Sequence, residues 1–318
     1  MSTTVPDRHD ALPGTSDAVR PGLLPRLGAE AFGSLFIAVA GLGVPLFSIP
    51  QSSPLPAALA AGLAVTAAML AVGHVSGGHF NPAITLGHLL AGRMRAGAAA
   101  AYAVAQLAGA VVGALVLFAV LRTLPGIADS RTAFDTVTAG FGEHSIIQAP
   151  VAAVLLLEVL GAAIVVAVFL GAAARERAGA VVAPFAVGLT FAALLQLGQA
   201  VGNLPYNPAR ALASAVFSSG WAVEQLWVFL LAPLAGAAIA GLLFRIFRAS
   251  PAPAPVARDT SDDDASLDGH PAVAAGAGTD PTARSAGKAR SAAQPEPAAG
   301  STGGAPSEAQ EFFDGKRG

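Results

Sequence analysis

Six long apolar runs dominate the hydrophobic pattern of the chain. A helix needs about 20 apolar residues to cross the roughly 30 Å of hydrocarbon in a bilayer, so the pattern predicts six transmembrane helices. They lie near residues 27–49, 56–75, 98–121, 149–174, 180–200 and 223–247. Two shorter apolar segments, 81–91 and 207–217, each begin with Asn-Pro-Ala and are too short to cross. Because proline suits the first turn of a helix, we expect two half-helices that enter the membrane from a loop.

Both ends of the chain lack this pattern. Residues 1–25 mix Pro, Gly, Asp and Ser without periodicity, and they lack the order of a signal peptide. Residues 249–318 consist mainly of Pro, Ala, Gly, Ser and acidic residues, with too few large apolar side chains to offset the entropy cost of ordering. We therefore predict a disordered N-terminal tail at 1–25 and a disordered low-complexity tail at 249–318.

The composition supports a membrane protein and argues against an enzyme. Of the 318 residues, 54% are hydrophobic and only 12% are charged, whereas soluble domains contain about 25% charged residues. The chain has no cysteine, which excludes disulfides and thiolate metal sites, and no basic excess points to nucleic acid. No nucleophile with a nearby base and no cluster of metal ligands is visible, so we expect no catalysis, no cofactor and no metal.

The arginines predict the orientation in the membrane, because positively charged residues concentrate on the cytoplasmic side. One side carries two arginines, Arg122 and Arg131, and the connection between the first two spans carries no charge. The other side, which includes both termini, carries eight: Arg20, Arg26, Arg93, Arg95, Arg175, Arg177, Arg245 and Arg248. Both termini are therefore predicted to be cytoplasmic.

The chain contains an internal repeat with an offset of 126 to 128 residues. Glu30-x-x-Gly33 matches Glu158-x-x-Gly161, the two Asn-Pro-Ala boxes match, and QLAGAVVGALV at 106–116 matches PLAGAAIAGLL at 233–243. Repeat one covers about 26–122 and repeat two about 149–248. Since each half has three spans, an odd number, the second half must be inverted relative to the first. Inverted repeats with broken helices place the solute site near the midplane, where the halves meet.

Two motifs resemble those of a known family. HVSGGHFNPAITLG at 74–87 and NLPYNPARALASAV at 203–216 resemble the paired signatures of the aquaporin, or major intrinsic protein, family. GEHS at 142–145 and GWAVEQLW at 220–227 further resemble its bacterial aquaporin Z-like members. The resemblance covers residues 26–248 and implies an aquaporin-like channel domain. This is an all-α membrane fold of six transmembrane helices and two re-entrant half-helices in an inverted repeat.

The paired boxes, Asn81-Pro82-Ala83 and Asn207-Pro208-Ala209, also have a chemical rationale. Helix N-termini that meet at the midplane present positive dipole ends, which raise the energy of a cation there. The asparagine amides would donate hydrogen bonds to a passing water molecule and interrupt proton relay along the water chain. An asparagine at this position can also cap the helix, and the two roles are compatible.

Other site residues follow from the resemblance and from their position. By family spacing, the selectivity filter falls on Ala61, Leu195, Leu204 and Arg210. Arg210 is the only charge in its half-helix, and a lone intramembrane arginine is costly unless functional; a snorkelling arginine is the alternative. The predicted loop-supporting residues are Glu30, Glu158, His74 and His79. The glutamates would accept backbone N–H bonds, with proton relay as the alternative.

The leading hypothesis is a passive water channel of the plasma membrane, which excludes ions and protons and conducts small neutral solutes in addition. Ala61 and Leu195 make the filter less polar than that of water-strict family members, which favours a glycerol- or urea-type facilitator as the alternative. A coupled secondary transporter is a further alternative, because inverted repeats also occur in transporters. The predicted partners are water, small neutral solutes and lipid, and the resemblance implies a homotetramer.

Overall fold

The computed structural model describes residues 21–48, 55–173 and 176–247, without the side chains of residues 176–180. Regular secondary structure in these ranges is helical throughout. The helices are α1 (Leu23–Phe47), α2 (Ala57–Ser76), α3 (Pro82–Leu90), α4 (Ala96–Leu121), α5 (Ser130–Asp135), α6 (Val151–Ala172), α7 (Glu176–Gly202), α8 (Pro208–Phe217) and α9 (Gly220–Ile246). The predicted tails lie outside the described residues, apart from residues 21–25.

Six of these helices are long and apolar enough to cross a membrane: α1, α2, α4, α6, α7 and α9. Their bounds agree with the predicted spans to within about four residues, so the predicted fold class is confirmed. One boundary of the predicted tail is wrong, because α1 begins at Leu23 and residues 23–25 are helical. Pro25 does not prevent this, since the first turn of a helix tolerates a residue without an N–H.

Close contacts at glycines hold the transmembrane helices together in pairs. A Cβ atom on Gly109 of α4 would lie 2.0 Å from the Ala31 carbonyl oxygen of α1, and one on Gly236 of α9 would lie 2.1 Å from the Val159 carbonyl oxygen of α6. The two pairs are related by the repeat. Small residues permit this approach between backbones in lipid, where packing contacts replace the hydrophobic driving force between helices.

At the crossing of α2 and α7, Gly62 and Gly188 each face the carbonyl oxygen of the other, at 2.4 and 2.5 Å from their Cβ positions. The half-helices pack mainly across the repeat boundary: α3 against α9, and α8 against α4. At one such contact, a Cβ on Gly241 of α9 would lie 2.7 Å from the Gly87 carbonyl oxygen of α3. Each half-helix therefore packs mainly against a transmembrane helix of the other repeat.

The linker between the repeats, with the short helix α5, folds onto repeat two. Gly140 N donates to the Gly202 carbonyl oxygen at 3.1 Å. The Asn203 side chain donates to the carbonyl oxygens of Thr136 and Thr138, at 3.1 and 3.3 Å. These bonds attach the linker to the loop that precedes α8.

Gly109→Ala should destabilise the protein by about 1–3 kcal/mol, because the added methyl group would clash with the backbone of α1 unless that helix moved away. Gly97→Ala in the same helix is the matched control, since no atom lies within 4 Å of its Cβ position. Thermal unfolding in detergent would measure both variants. Equal melting temperatures for the two variants would contradict the proposed packing role of Gly109.

Candidate functional site

The two half-helices begin at asparagines that act as N-caps. The Asn81 side-chain oxygen accepts a hydrogen bond from Ala83 N at 2.8 Å, and the Asn207 side-chain oxygen accepts one from Ala209 N at 2.9 Å. In each case the proline that follows occupies the first turn of the helix, where the N–H that proline lacks would have no partner within the helix. The oxygen of each amide is thereby used within its own half-helix, which leaves the amide nitrogen free to donate elsewhere.

Each amide nitrogen donates across the repeat boundary to the loop before the opposite half-helix; we call these loops, residues 77–81 and 203–207, the first and second pore loops. Asn81 Nδ2 donates to the Tyr206 carbonyl oxygen at 3.0 Å, and Asn207 Nδ2 donates to the Phe80 carbonyl oxygen at 3.2 Å. These reciprocal bonds bring the N-termini of α3 and α8 together in the interior of the protein. One hydrogen of each amide group is used in this way, so each asparagine retains a second hydrogen to donate.

Glu30 of α1 supports the first pore loop. Its carboxylate accepts bonds from His79 N at 3.1 Å, Phe80 N at 2.7 Å and the Gln106 side chain of α4 at 2.7 Å. Phe80 has a φ of 48°, the left-handed conformation that turns the chain into α3. The Phe80 ring packs against Gly33, whose Cβ position is 2.2 Å from it, so a larger residue than glycine does not fit there.

Glu158 of α6 occupies the equivalent position in repeat two. Its Oε1 accepts a bond from Tyr206 N at 3.2 Å, and the Tyr206 ring packs against Gly161 as Phe80 packs against Gly33. The second oxygen, Oε2, is buried and has no hydrogen-bond partner among the described residues. Glu158 lacks the donor that Glu30 has because the repeats differ at one position: Pro233, which has no side-chain donor, stands where repeat one has Gln106.

The two predicted loop histidines differ in their surroundings. His79 is buried, its Nδ1 lies 3.1 Å from the Thr85 hydroxyl, and its ring packs edge-on against Phe169. His74 instead lies on an exposed part of α2, and within the described residues its side chain makes no hydrogen bond, contrary to the prediction. Across the same residues, no three His, Asp or Glu side chains lie together as metal ligands would.

Three of the four predicted filter residues line the same space. Ala61 of α2, Leu195 of α7 and Arg210 of α8 each border two adjoining cavities. Leu204 differs from the prediction, because its side chain is fully buried and lines neither cavity. Leu204 N donates to the Gly198 carbonyl oxygen at 3.3 Å, and its side chain packs against that glycine of α7.

The inner cavity joins these three residues to the meeting point of the half-helices. Its volume of about 10 Å³ is close to the smallest that can hold one water molecule. Most of its wall is apolar, and its complete lining is Ile37, Ala61, Val65, His79, Asn81, Phe191, Leu195, Pro205, Asn207 and Arg210. The polar side chains on this mostly apolar wall are therefore few: His79, Asn81, Asn207 and Arg210.

Arg210 supplies the charge at this constriction. Within the described residues its guanidinium makes no hydrogen bond, and its Nε is buried without a partner. Gly41 of α1 leaves space beside it, because a Cβ there would lie 3.6 Å from both Arg210 Nε and Ala61 Cβ. The arginine thus borders the cavity as a donor that no group in the described part of the chain has already satisfied.

The family is established by comparison with known proteins. Residues 19–244, most of the chain, match the family model described as Major intrinsic protein. The chain belongs to the major intrinsic protein family. This confirms the predicted family, and with it the prediction that the protein is not an enzyme.

Curated members of the major intrinsic protein family resemble the chain over most of their length. Aquaporin Z of Photorhabdus laumondii is 35% identical over 233 residues, which cover 70% of this chain and 97% of the relative. Aquaporin Z of Bradyrhizobium diazoefficiens is 36% identical over 224 residues, which cover 69% and 92%. The solved aquaglyceroporin of Plasmodium falciparum superposes with a TM-score of 0.60 at 19% identity, covering 70% of this chain and 96% of that one, and supports the fold alone.

Three residues of this major intrinsic protein were missed at the sequence level. Gln106 could have been found, because a polar side chain inside an apolar helix that is replaced by Pro233 in the other repeat is an unusual mismatch. Gly41 gave no such signal, since it is one glycine among many in a membrane helix. Asp135 also gave none, because its contacts join residues more than 80 positions apart.

Glu30→Gln should destabilise the protein more than Glu158→Gln. A glutamine at position 30 offers one acceptor oxygen where three donors converge, so its NH2 group would oppose a buried donor, which costs about 1–3 kcal/mol. A glutamine at position 158 can still accept from Tyr206 N, while its NH2 replaces an oxygen that has no partner. Thermal unfolding of the two variants side by side measures the difference, and each is the control for the other. Equal losses would contradict this account of the asymmetry.

Proposed function

We propose that this protein is a passive water channel that excludes ions and protons. The observation that carries the proposal is a cavity just large enough for one water molecule, which Asn81, Asn207 and Arg210 all border. Apart from His79, the other side chains that line it are apolar, so a water molecule can exchange hydrogen bonds with only a few side chains. The curated relatives named Aquaporin Z support the same function.

The asparagines supply the barrier to protons in this proposal. Asn81 and Asn207 each keep one amide hydrogen after the cross-bonds to the opposite loop, and both border the inner cavity. A water molecule that accepts from both is oriented with its hydrogens outward, which interrupts a continuous donor chain. The N-terminal ends of α3 and α8 add partial positive charge at the same point, so a cation is disfavoured there.

Arg210 supplies the barrier to cations. Together with Ala61 and Leu195 it forms the proposed selectivity filter, in which its charge is poorly screened by the apolar wall. A cation would have to shed its hydration beside a like charge, whereas water can accept a hydrogen bond from the guanidinium. Leu204 contributes no side chain to this filter, because it packs against α7.

We also propose that small neutral solutes pass, as in a glycerol- or urea-type facilitator. The observation that favours this second candidate is the small wall on one side of the filter, where Gly41 and Ala61 lie 3.6 Å apart at their Cβ positions. Coupled transport is disfavoured, because family membership points to a channel and because Glu30 is already occupied by three donors.

The protein is a multi-pass membrane protein, and we propose that it lies in the plasma membrane with both termini in the cytoplasm. The arginine distribution supports this orientation. We further propose that residues 26–248 form the conducting domain and that the segment 249–318 is not required for conduction. The family match, which ends at residue 244, supports that division.

We propose that four chains associate, each with its own pore. One chain brings both half-helices to a single cavity, so a complete pore does not need a second subunit. Large apolar side chains on α6 and α7, such as Leu156, Leu160 and Leu189, are exposed and available for contact with another copy.

A detergent-corrected mass of four 31.4 kDa chains is expected for the purified protein under mild conditions. Light scattering coupled to size-exclusion chromatography would measure it, with the same measurement in a harsh detergent as the control. A single-chain mass in every mild detergent would contradict the tetramer and leave the one-chain pore intact.

Arg210→Val should admit larger neutral solutes and leak protons or cations, because the variant loses both the charge and the bulk of the arginine. Water flow should persist, since both asparagines remain. Stopped-flow osmotic assays and a pH-sensitive dye in proteoliposomes would measure these fluxes. Arg122→Val at the exposed end of α4 is the matched control and should behave as the wild type. An unchanged solute range and proton leak in Arg210→Val would contradict the assignment of Arg210 to the filter.

A further inference from the structure

A compact cluster of hydrogen bonds joins the linker to the C-terminal end of α8. Asp135, the last residue of α5, accepts bonds on Oδ1 from the Ser218 hydroxyl and from Ser219 N, the latter at 2.8 Å. Its Oδ2 accepts from the Ser219 hydroxyl at 2.6 Å. Arg131, on the same short helix, donates to the Ser218 carbonyl oxygen at 2.6 Å. One helical turn of the linker therefore holds both the cap of α8 and the first residue before α9.

The cluster acts at one end of a short rigid helix whose other end carries Arg210. Ser218 is the C-cap of α8 and Arg210 lies in its first turn, so about 12 Å of helix separates them at 1.5 Å per residue. A displacement of the C-terminal end of this short helix tilts it about its N-terminal end, which changes the position of the guanidinium in the filter. The N-terminal end is held separately, by the Asn207 bond to Phe80.

The residues that follow Asp135 connect the cluster to the filter a second time. Thr136 and Val137, together with Arg210, line the outer of the two adjoining cavities, which is the one that Asn81 and Asn207 do not border. The carbonyl oxygens of Thr136 and Thr138 also accept the Asn203 side chain, at the beginning of the second pore loop. The linker thus holds this loop at its start through Thr136 and Thr138, and the half-helix at its end through Asp135.

The charge of Asp135 suits a permanent attachment. The carboxylate is half-buried, and although burial by itself raises the pKa, the hydrogen bonds from Ser218 and Ser219 outweigh it and hold the pKa of Asp135 below its usual value. The group is therefore an anion at neutral pH, and hydrogen bonds to an ionised acceptor are stronger than neutral ones. Arg131 adds a second charged group on the same helix.

We infer that Asp135 is a positioning residue for selectivity: through Ser218 and Ser219 it fixes α8 and thereby the place of Arg210 in the filter. The inference rests on the proposed role of Arg210. It predicts that loosening the cluster changes what the channel rejects more than how much water it passes, because the water-binding asparagines are held by other bonds.

The test compares Asp135→Asn with Asp129→Asn in proteoliposomes. Asp129 lies at the other end of the same helix, is exposed, and accepts bonds from Arg131 N and the Thr132 hydroxyl, so asparagine can replace it as an N-cap. Water, glycerol and proton permeabilities are measured on the same vesicles. Asp135→Asn should raise the glycerol-to-water and proton-to-water ratios by roughly threefold or more, as mutations in coupled networks do. Asp129→Asn should leave both ratios unchanged.

Ratios are used because a merely structural defect lowers the amount of active channel and leaves them constant. If Asp135→Asn fails to insert, Ser219→Ala removes one hydroxyl donor and keeps Ser219 N, and it should raise the ratios in the same direction. Unchanged ratios in the variant that inserts, or a proportional loss of all three fluxes, would overturn the inference. A wild type without water flow would instead refute the proposed function, and a normal wild type with a selective Arg210→Val defect would leave that function standing.

Discussion

The structure depends on one constraint: the half-helices α3 and α8 begin in the middle of a membrane, where water cannot satisfy the unpaired backbone N–H groups of their first turns. An irregular backbone is stable at that depth only if protein groups or a water-filled cavity accept its hydrogen bonds. Here the Glu30 and Glu158 carboxylates accept the N–H groups that precede the half-helices, and the asparagine side chains cap the first turns. The same groups that satisfy the backbone also place the amide hydrogens at the pore, so the stability of the loops and the chemistry of conduction have a common origin.

The close approach of the transmembrane helices follows from this arrangement. Gln106 of α4 reaches the carboxylate of α1 because these two helices pack with their backbones in contact, which Gly109 permits. The large rings of Phe80 and Tyr206, both in the left-handed conformation, occupy the space above Gly33 and Gly161. Each pore loop is therefore shaped by a glutamate and a glycine one turn apart on the same helix.

The two repeats are equivalent in backbone and different in how their loops are held. The first loop is braced from within the membrane, because Gln106 donates to both Glu30 and the Thr85 hydroxyl. The second loop lacks that donor and is held from the linker instead, through Asn203 and the Asp135 cluster. The half that carries Arg210 is thus the half that depends on a segment outside the repeats. The proposed filter and the central asparagines are therefore held by different contacts, since the cross-bonds fix the asparagines in both halves alike.

The sequence by itself determined the features that depend on local pattern. Apolar length predicted the six spans, Asn-Pro-Ala predicted the half-helices and their caps, and the repeat offset predicted that the two boxes meet. It could not determine every side chain that lines the cavity, because that depends on the rotation of packed helices and loops. Leu204 and His74 were placed at the site by spacing, yet one faces the core and the other lies exposed. The tertiary structure alone decided the roles of Gln106, Gly41 and Asp135, since their partners come from other helices and no local pattern encodes a contact across the fold.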